Sequence, residues 1–241
     1  MFSQLPLWLY PLSGLMALGA LAWLALVLWR GDLCPGQRSR ITQQSFSVWV
    51  ITGLSVMLAV EAKAPQWQIW LGGAALVLGI GVSLLQSRLE GKRAIPGHWL
   101  WLPALPLALY GVSLLTRTGW VSGLLQMVLL GAAFAHLMLL RARHRLQAFN
   151  TLLPMAGLGA AMASLLWFVA LMLVHSPSEA VLADLLPWIL TQAGLLIATL
   201  LLWFSPLYRQ QETAPVVLSV TLCGLLIAEI AATGALQRLV L

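Results

Sequence analysis

The sequence predicts an all-α integral membrane protein, a bundle of about eight transmembrane helices that forms one polytopic domain over residues 1–241. Of the 241 residues, 61% are hydrophobic and 8% are charged, and the mean hydropathy is +0.92. A soluble domain carries about 25% charged residues, so this chain cannot cover an apolar core with a polar surface. It also divides into apolar windows of the length that a spanning helix needs, about 20 residues.

Eight apolar windows lie between charged or Pro- and Gly-rich breaks. We expect the first to be a retained span, because the N-terminus has neither the basic region nor the cleavage site of a signal peptide. The second is diluted by Ser47, Thr52 and Ser55, so it is expected to face protein more than lipid. The predicted spans cover residues 6–29, 45–61, 67–86, 99–116, 119–140, 152–174, 183–205 and 215–237.

Basic residues set the predicted orientation. Cytoplasmic loops of membrane proteins carry an excess of Lys and Arg, and here the loops after the first, third, fifth and seventh spans are basic. Both termini are therefore predicted to be non-cytoplasmic. The run RARHR also fits a nucleic-acid patch, but a cytoplasmic anchor is the better interpretation, and no nucleic-acid partner is expected. The basic residues of these loops are Arg30, Arg38, Arg40, Arg88, Lys92, Arg93, Arg141, Arg143, Arg145 and Arg209.

Seven tryptophans lie near predicted span ends, where an indole ring prefers the lipid headgroup region. This placement agrees with a membrane location and indicates no particular chemistry. The seven are Trp8, Trp49, Trp67, Trp99, Trp101, Trp120 and Trp188.

The cysteines and histidines argue against a resident redox cofactor or metal. Cys34 and Cys223 are the two cysteines, whereas an iron-sulfur cluster takes about four thiolates. A haem b needs two axial histidines on facing helices. His136 lies in a predicted span, but His98 and His144 fall in loops. We therefore expect no haem or iron-sulfur cluster, and interpret His136 as a structural histidine.

An acidic residue inside a span is costly and is a functional-site hypothesis by default. Glu229 is the one acidic residue well inside a predicted span. Two interpretations stay open, a functional carboxylate or a protonated or hydrogen-bonded side chain that ties the last span to a neighbour. Small residues around it would let another helix approach closely: Ala228, Ala231, Ala232 and Gly234.

Polar residues also occur at the predicted non-cytoplasmic end of the bundle. Glu61 and Lys63 end the second span, and His175 ends the sixth, followed by Glu179 and Asp184. If these ends meet, a carboxylate or imidazole is available to accept a hydroxyl proton from a quinol, beside an apolar cleft for its tail. Interface charges are also common as solvated caps of helix ends, so both interpretations stay open.

Three stretches together resemble the membrane anchor subunit of the dimethyl sulfoxide reductase family, along the whole chain and most strongly over the last two spans. They are WLALVLWRGDLCPGQRSRITQQSFSVWVITGLSV, RLQAFNTLLPMAGLGAAMASLL leading to MLVHSPSE, and LLIATLLLWFSPLYRQQETAPVVLSVTLCGLLIAEIAATGA. The resemblance implies an anchor in the bacterial inner membrane that holds an iron-sulfur subunit and a molybdopterin catalytic subunit. Such an anchor oxidises menaquinol and passes the electrons to the iron-sulfur subunit in anaerobic respiration.

The resemblance also bears on the site residues. The family has a histidine implicated in quinol binding after the second span, in an HLGSP-like stretch; the matching stretch here is EAKAPQW, with Glu61 near that place. Glu229 and Gly234 match a family glutamate and glycine, but Thr233 stands where the family has an arginine. The resemblance thus predicts quinol binding at Glu61, with Lys63 and His175 beside it, or an anchor that has lost quinol binding.

A stand-alone transporter or membrane assembly factor is the alternative function. A transporter is expected to show an internal repeat and paired broken helices near the bilayer midplane. Pro103, Pro106 and Pro187 lie inside predicted spans, but the first four and last four spans show no convincing sequence repeat. The anchor is therefore the preferred interpretation.

We predict that reporter fusions placed after Arg40, Arg93 and Arg145 all give a cytoplasmic signal, because their loops carry most of the basic residues. Fusions after Thr116 and His175 should give the opposite signal. A non-cytoplasmic signal after any of the three arginines would overturn the topology.

Overall fold

The computed structural model describes residues 4–31, 33–89, 95–142, 147–209 and 213–240. These residues form nine α-helices and a short 3-10 helix at Gly97–Leu100, and contain no β-strand. The predicted all-α architecture is confirmed. Several loop residues of the sequence analysis lie outside the described ranges, namely Lys92, Arg93, Arg143, His144 and Arg145.

Eight of the nine helices coincide with the eight predicted spans. The largest difference is at the start of the sixth span, which begins at residue 147 in place of 152. The helices are α1 Leu5–Arg30, α2 Pro35–Gln44, α3 Phe46–Glu61, α4 Gln66–Ser87, α5 Trp101–Thr118, α6 Trp120–Arg141, α7 Gln147–His175, α8 Glu179–Tyr208 and α9 Pro215–Val240.

Helix α2, PGQRSRITQQ, is the one that the sequence analysis did not predict. It begins with a proline, whose missing N–H costs nothing in the first turn, and the Gln37 side chain accepts a hydrogen bond from the Cys34 N–H at 3.3 Å. A search for apolar windows passes over it because the helix is polar. After Ser45 the chain continues into α3, so that the second span is part of a longer helical stretch, Pro35–Glu61.

Within the described ranges, seven helical stretches are long and apolar enough to cross a membrane, with α2 and α3 counted together. Helix α5 is the remaining member of the bundle. Its 18 residues correspond to about 27 Å at 1.5 Å per residue, close to the hydrocarbon thickness of about 30 Å. The polar end Thr116, Arg117 and Thr118 lowers its hydropathy. The chain is thus a multi-pass integral membrane protein.

The eight long helices form two four-helix bundles. In the N-terminal bundle, α1 packs on α3, α3 on α4, α4 on α5, and α5 back on α1. In the C-terminal bundle, α6 packs on α7, α7 on α8, α8 on α9, and α9 back on α6. The two halves therefore repeat the same order of helix neighbours, a repeat that the sequence does not show.

The two bundles meet along α1 and α6, where two glycines bring the helix backbones together. A Cβ added to Gly131 would lie 2.6 Å from Gly19 Cα and 2.9 Å from the Ala20 nitrogen. A Cβ on Gly19 would overlap the Met127 carbonyl. Small residues of this kind permit close packing of helices in membranes, where dispersion contacts hold them together.

Buried hydroxyl groups connect helices of the N-terminal bundle. The Ser55 hydroxyl on α3 donates to the Tyr10 carbonyl of α1 at 2.6 Å, and lies 2.9 Å from the Tyr110 hydroxyl of α5. Because Ser55 has a single hydrogen, Tyr110 donates in the second bond. All three residues are buried, so each of these polar groups is satisfied inside the protein.

Two of the seven tryptophans expected at the membrane surface are instead buried in the bundle. Trp8 is 3% exposed and Trp49 is 0% exposed. The Trp49 ring lies against Gly79 of α4, where a Cβ would overlap the ring. Both residues lie near a helix end as expected, but position near a span end does not decide which way a side chain faces. Trp67, Trp99, Trp101 and Trp120 are exposed.

The prolines do not break the helices. Pro103 and Pro106 lie within the continuous α5, and Pro187 lies within α8. The broken helices that would mark a transporter are therefore not found at these positions. Neighbouring helices make a proline tolerable inside a spanning helix.

We predict that Gly131→Ala lowers the free energy of unfolding by about 1–3 kcal/mol, the usual cost of overpacking, because the new methyl group meets the α1 backbone. Unfolding of the purified protein by SDS in mixed micelles measures this change. Gly73→Ala is the matched control, since nothing lies within 4 Å of its added Cβ. Equal stability of the two variants would contradict the close α1–α6 contact.

Candidate functional site

Glu61 and Lys63 lie where the sequence placed them, at the end of α3. Glu61 is the last residue of the helix, and Lys63 follows in a tight turn with φ of 52°. Both side chains are exposed, and neither makes an ion pair with any residue that the structure describes. Their geometry is that of charged groups at a helix end.

His175 ends α7 at the same end of the bundle. It is exposed, and its Nδ1 lies 3.0 Å from the Leu171 carbonyl. Glu179 and Asp184 at the start of α8 are exposed as well. Helix α7 packs on α6, α8 and α9, whereas α3 packs on α1, α2 and α4. The structure therefore places His175 and Glu61 in different bundles, and no hydrogen bond or ion pair joins them.

A cavity of about 620 Å³ lies at the opposite end of α3, between α1, α2 and α5. We call it the Arg38 cavity. Leu24 and Leu28 of α1 and Ala104 of α5 form apolar walls, while Arg38, Thr42 and Ser45 supply polar groups. Trp29 and Trp101 also line it and are 77% and 73% exposed. This is the end of the bundle where the basic residues Arg30, Arg40 and Arg88 are exposed.

Hydrogen bonds fix the polar side of the Arg38 cavity. Arg38 Nη2 donates to the Leu28 carbonyl at 3.1 Å and so ties α2 to the end of α1. The Thr42 hydroxyl donates to the Arg38 carbonyl at 2.9 Å, and the Ser45 hydroxyl donates to the Thr42 carbonyl at 2.7 Å. The hydroxyl oxygens of Thr42 and Ser45 keep lone pairs, and Arg38 keeps further N–H donors.

Gln86 holds the chain segment that forms another wall of this cavity. Its side chain is buried, and Oε1 accepts a hydrogen bond from the Ile95 N–H at 2.8 Å. Nε2 donates to the Ser39 hydroxyl of α2 at 3.5 Å. Gln86 of α4 thereby positions both α2 and the segment before α5. Ile95 belongs to that segment and lines the cavity.

The Arg38 cavity combines apolar walls with a cationic donor and two hydroxyl oxygens at one side. Its volume lies within the range of about 300–1,000 Å³ typical of ligand pockets. The arrangement suits a molecule with an oxygen-bearing polar head and an apolar body. Sequence reasoning missed this site, although the polar run QRSRITQQS beside an apolar span is a signal that could have indicated it.

Glu229 lies inside the C-terminal bundle and is 1% exposed. It lines a small space with Ser122 and Gln126 of α6, Ser164 of α7 and Gln192 of α8. The Gln126 amide faces the Glu229 carboxyl group, but no described residue donates a hydrogen bond of good geometry to either carboxyl oxygen or to Gln126 Oε1. We call these five residues the Glu229 cluster.

Gly234 lies beneath an aromatic layer at the end of α9. An added Cβ would lie 2.8 Å from Trp188 Cζ3. The Trp188 ring packs edge-on against Trp8, with ring centroids 6.0 Å apart, and the Arg238 guanidinium lies 4.3 Å from the Trp188 centroid. Ala228, as expected for a small residue on this face, is buried. Gly234 is thus required for close packing of α8 and α9.

His136 lies buried at a contact between helices. It is 1% exposed, and its Nδ1 accepts a hydrogen bond from Trp203 Nε1 at 2.9 Å. Since Nδ1 is the acceptor, a neutral ring carries its proton on Nε2. The bond joins α6 to α8.

No group of three or more His, Cys, Asp or Glu that could hold a metal ion occurs among the described residues. Cys34 and Cys223 are free and exposed.

A protein-family model described as an integral membrane domain matches residues 12–231 of the chain. No curated protein and no solved structure matches the sequence of this chain.

Proposed function

We propose that this chain, which belongs to this family of integral membrane domains, is the membrane anchor subunit of an oxidoreductase complex and binds a quinol in the Arg38 cavity. The complex is of the dimethyl sulfoxide reductase type, in the bacterial inner membrane. The observation that carries the quinol site is the combination of apolar walls, a guanidinium group and two hydroxyl oxygens around 620 Å³. The anchor role rests on the family resemblance of the three sequence stretches.

The Arg38 cavity suits menaquinol in two respects. A quinol head carries two hydroxyl groups. Arg38 can donate hydrogen bonds to their oxygens, and their O–H groups can donate to the hydroxyl oxygens of Thr42 and Ser45. Its naphthalene ring and isoprenoid tail match Leu24, Leu28 and the exposed tryptophans, beside which the tail would leave toward lipid. This cavity lies at the opposite end of α3 from Glu61, about 24 Å away for 16 residues of helix.

Arg38 also suggests how the quinol loses its protons. A cation beside an acidic hydroxyl favours the ionised form, so the guanidinium would stabilise the quinolate and water at the membrane surface would take the proton. Oxidation of one menaquinol releases two electrons and two protons. The electrons pass to the iron-sulfur subunit, and the molybdopterin subunit uses them to reduce the terminal acceptor.

The position of the Arg38 cavity bears on where the partner docks. Electron transfer requires the first iron-sulfur cluster to be near the quinol, so the partner would dock on the face where the cavity opens. Arg30, Arg40 and Arg88 are exposed there, and an acidic partner surface would complement them. A quinol site at Glu61 would require docking on the opposite face.

We predict that Ala104→Leu weakens binding of a short-chain naphthoquinone about tenfold or more, because a lost contribution of 1.4 kcal/mol corresponds to tenfold and the larger side chain fills the cavity. Quenching of Trp29 and Trp101 fluorescence measures binding, since both rings line the cavity. Ala108→Leu is the matched control on the exposed side of α5.

Glu61→Gln separates the two candidate locations. Under the proposal it leaves naphthoquinone binding and quinol oxidation by the intact complex unchanged, whereas Arg38→Gln weakens both. Loss of binding in Glu61→Gln, with normal binding in Ala104→Leu, would return the quinol site to Glu61, Lys63 and His175. Normal binding in every variant contradicts both locations.

The anchor role has its own test. The chain is purified in a mild detergent from cells that express it at its natural level. An iron-sulfur protein and a molybdoprotein should copurify with it in equimolar amounts. Recovery of the chain without either partner contradicts the anchor role, whatever the quinone measurements give.

A stand-alone transporter is the second candidate function, and two observations favour it. The two bundles repeat the same order of helix neighbours, and repeated halves are common among transporters. Glu229 is an intramembrane carboxylate, a type of residue that often marks an ion pathway. The purification experiment distinguishes this function from the anchor.

A further inference from the structure

The Glu229 cluster contains three buried oxygens that lack a donor. They are both carboxyl oxygens of Glu229 and Oε1 of Gln126. The Gln126 amide faces the carboxyl group without completing a hydrogen bond of good geometry. A buried acceptor without a partner is unfavourable, so this group of oxygens favours a bound cation or proton.

No basic side chain among the described residues lines the space around Glu229. The residues that face it are serine and glutamine, with Trp167 and Phe168 of α7, and none of these titrates near neutral pH. Arg238, nine residues later on α9, is engaged elsewhere, because it donates to the Gly234 carbonyl at 2.9 Å and lies over the Trp188 ring. An ionised carboxylate buried without a counter-charge is strongly unfavourable.

The size and the donor atoms of the cluster restrict what can neutralise it. The space holds about 10 Å³, roughly one water-sized particle. Carboxylate, amide and hydroxyl oxygens are ligands for hard cations. With one carboxylate in the cluster, a monovalent cation gives a neutral site, whereas a divalent cation would leave a buried positive charge.

We propose that the Glu229 cluster is an intramembrane binding site for one sodium ion, which competes with a proton for the Glu229 carboxylate. Glu229, Gln126 and Gln192 provide the inner oxygens, and Ser122 and Ser164 complete the set. Potassium is larger and fits the space less well. This site lies in the C-terminal bundle and goes beyond the proposed function, so its test does not depend on whether quinol binds in the Arg38 cavity.

Under this proposal an ion reaches the cluster from the end of the bundle where α6 begins. Ser122 is two residues from the start of α6 and is half-buried, and Trp167 Nε1 donates to its hydroxyl at 3.1 Å. Trp167 is half-buried too. These two side chains form the outer wall, and an ion would pass between them.

Dicyclohexylcarbodiimide tests the proposal, because it attaches to protonated carboxyl groups in apolar surroundings and a bound sodium ion displaces the proton. The purified full chain is labelled at fixed pH and ionic strength, in sodium or choline chloride, and the adduct at Glu229 is measured by mass spectrometry. At ten times the dissociation constant, sodium should slow labelling about tenfold by mass action. Potassium should have a smaller effect.

Thermal unfolding provides a second measurement on the same protein. An ion that binds only the folded state stabilises the protein. Sodium should therefore raise the midpoint temperature of unfolding of the natural chain relative to choline. Glu229→Gln keeps the side-chain shape and should lose the rise, and Gln126→Leu should weaken it. Glu179→Gln, an exposed carboxylate on the same end of the bundle, should keep it.

Equal labelling rates in sodium and choline, with no sodium-dependent rise in the midpoint, would overturn the proposal and leave Glu229 as a protonated structural residue. If no adduct forms in either salt, the midpoint decides. A rise that Glu229→Gln abolishes supports the site, and a rise that persists in that variant contradicts it.

Discussion

The close approach of α1 and α6 at Gly19 and Gly131 is the contact on which the arrangement of the bundle depends. Lipid tails are as apolar as the helix surfaces, so burial from water does not hold helices together inside a membrane. Dispersion attraction between the backbones, which touch at the two glycines, holds α1 and α6 together instead. Helices α1 and α6 belong to different bundles, and theirs is the most extensive contact between the two halves, beside smaller contacts of α5 with α6 and of α1 with α9. The α1–α6 contact therefore contributes most to the position of one half relative to the other.

Polar bonds across each bundle add to this packing. Ser55 and Tyr110 join α3 and α5, and His136 and Trp203 join α6 and α8. In both cases the two helices lie on opposite corners of their four-helix ring. These bonds satisfy their buried polar groups, which is what an apolar surrounding requires. The carboxyl group of Glu229 is one of several buried polar groups to which the described residues supply no hydrogen bond of good geometry, and it is the acidic group among them.

The two candidate sites occupy different bundles and opposite ends of the protein. The Arg38 cavity lies where α1 ends and α5 begins, whereas the Glu229 cluster lies toward the start of α6. The first combines apolar walls with a cation at the basic end, and the second contains a single buried carboxyl group. The two sites share no lining residue.

The sequence by itself determined the membrane class, the spans and the special position of Glu229, because hydropathy and charge are properties of the chain that do not depend on its neighbours. Tertiary structure decided the rest. It buried Trp8 and Trp49, added the polar helix α2, and placed Glu61 and His175 in different bundles. The walls of the Arg38 cavity come from segments between Leu21 and Ala104. A cavity is the space between helices, and only their packing decides which side chains face it.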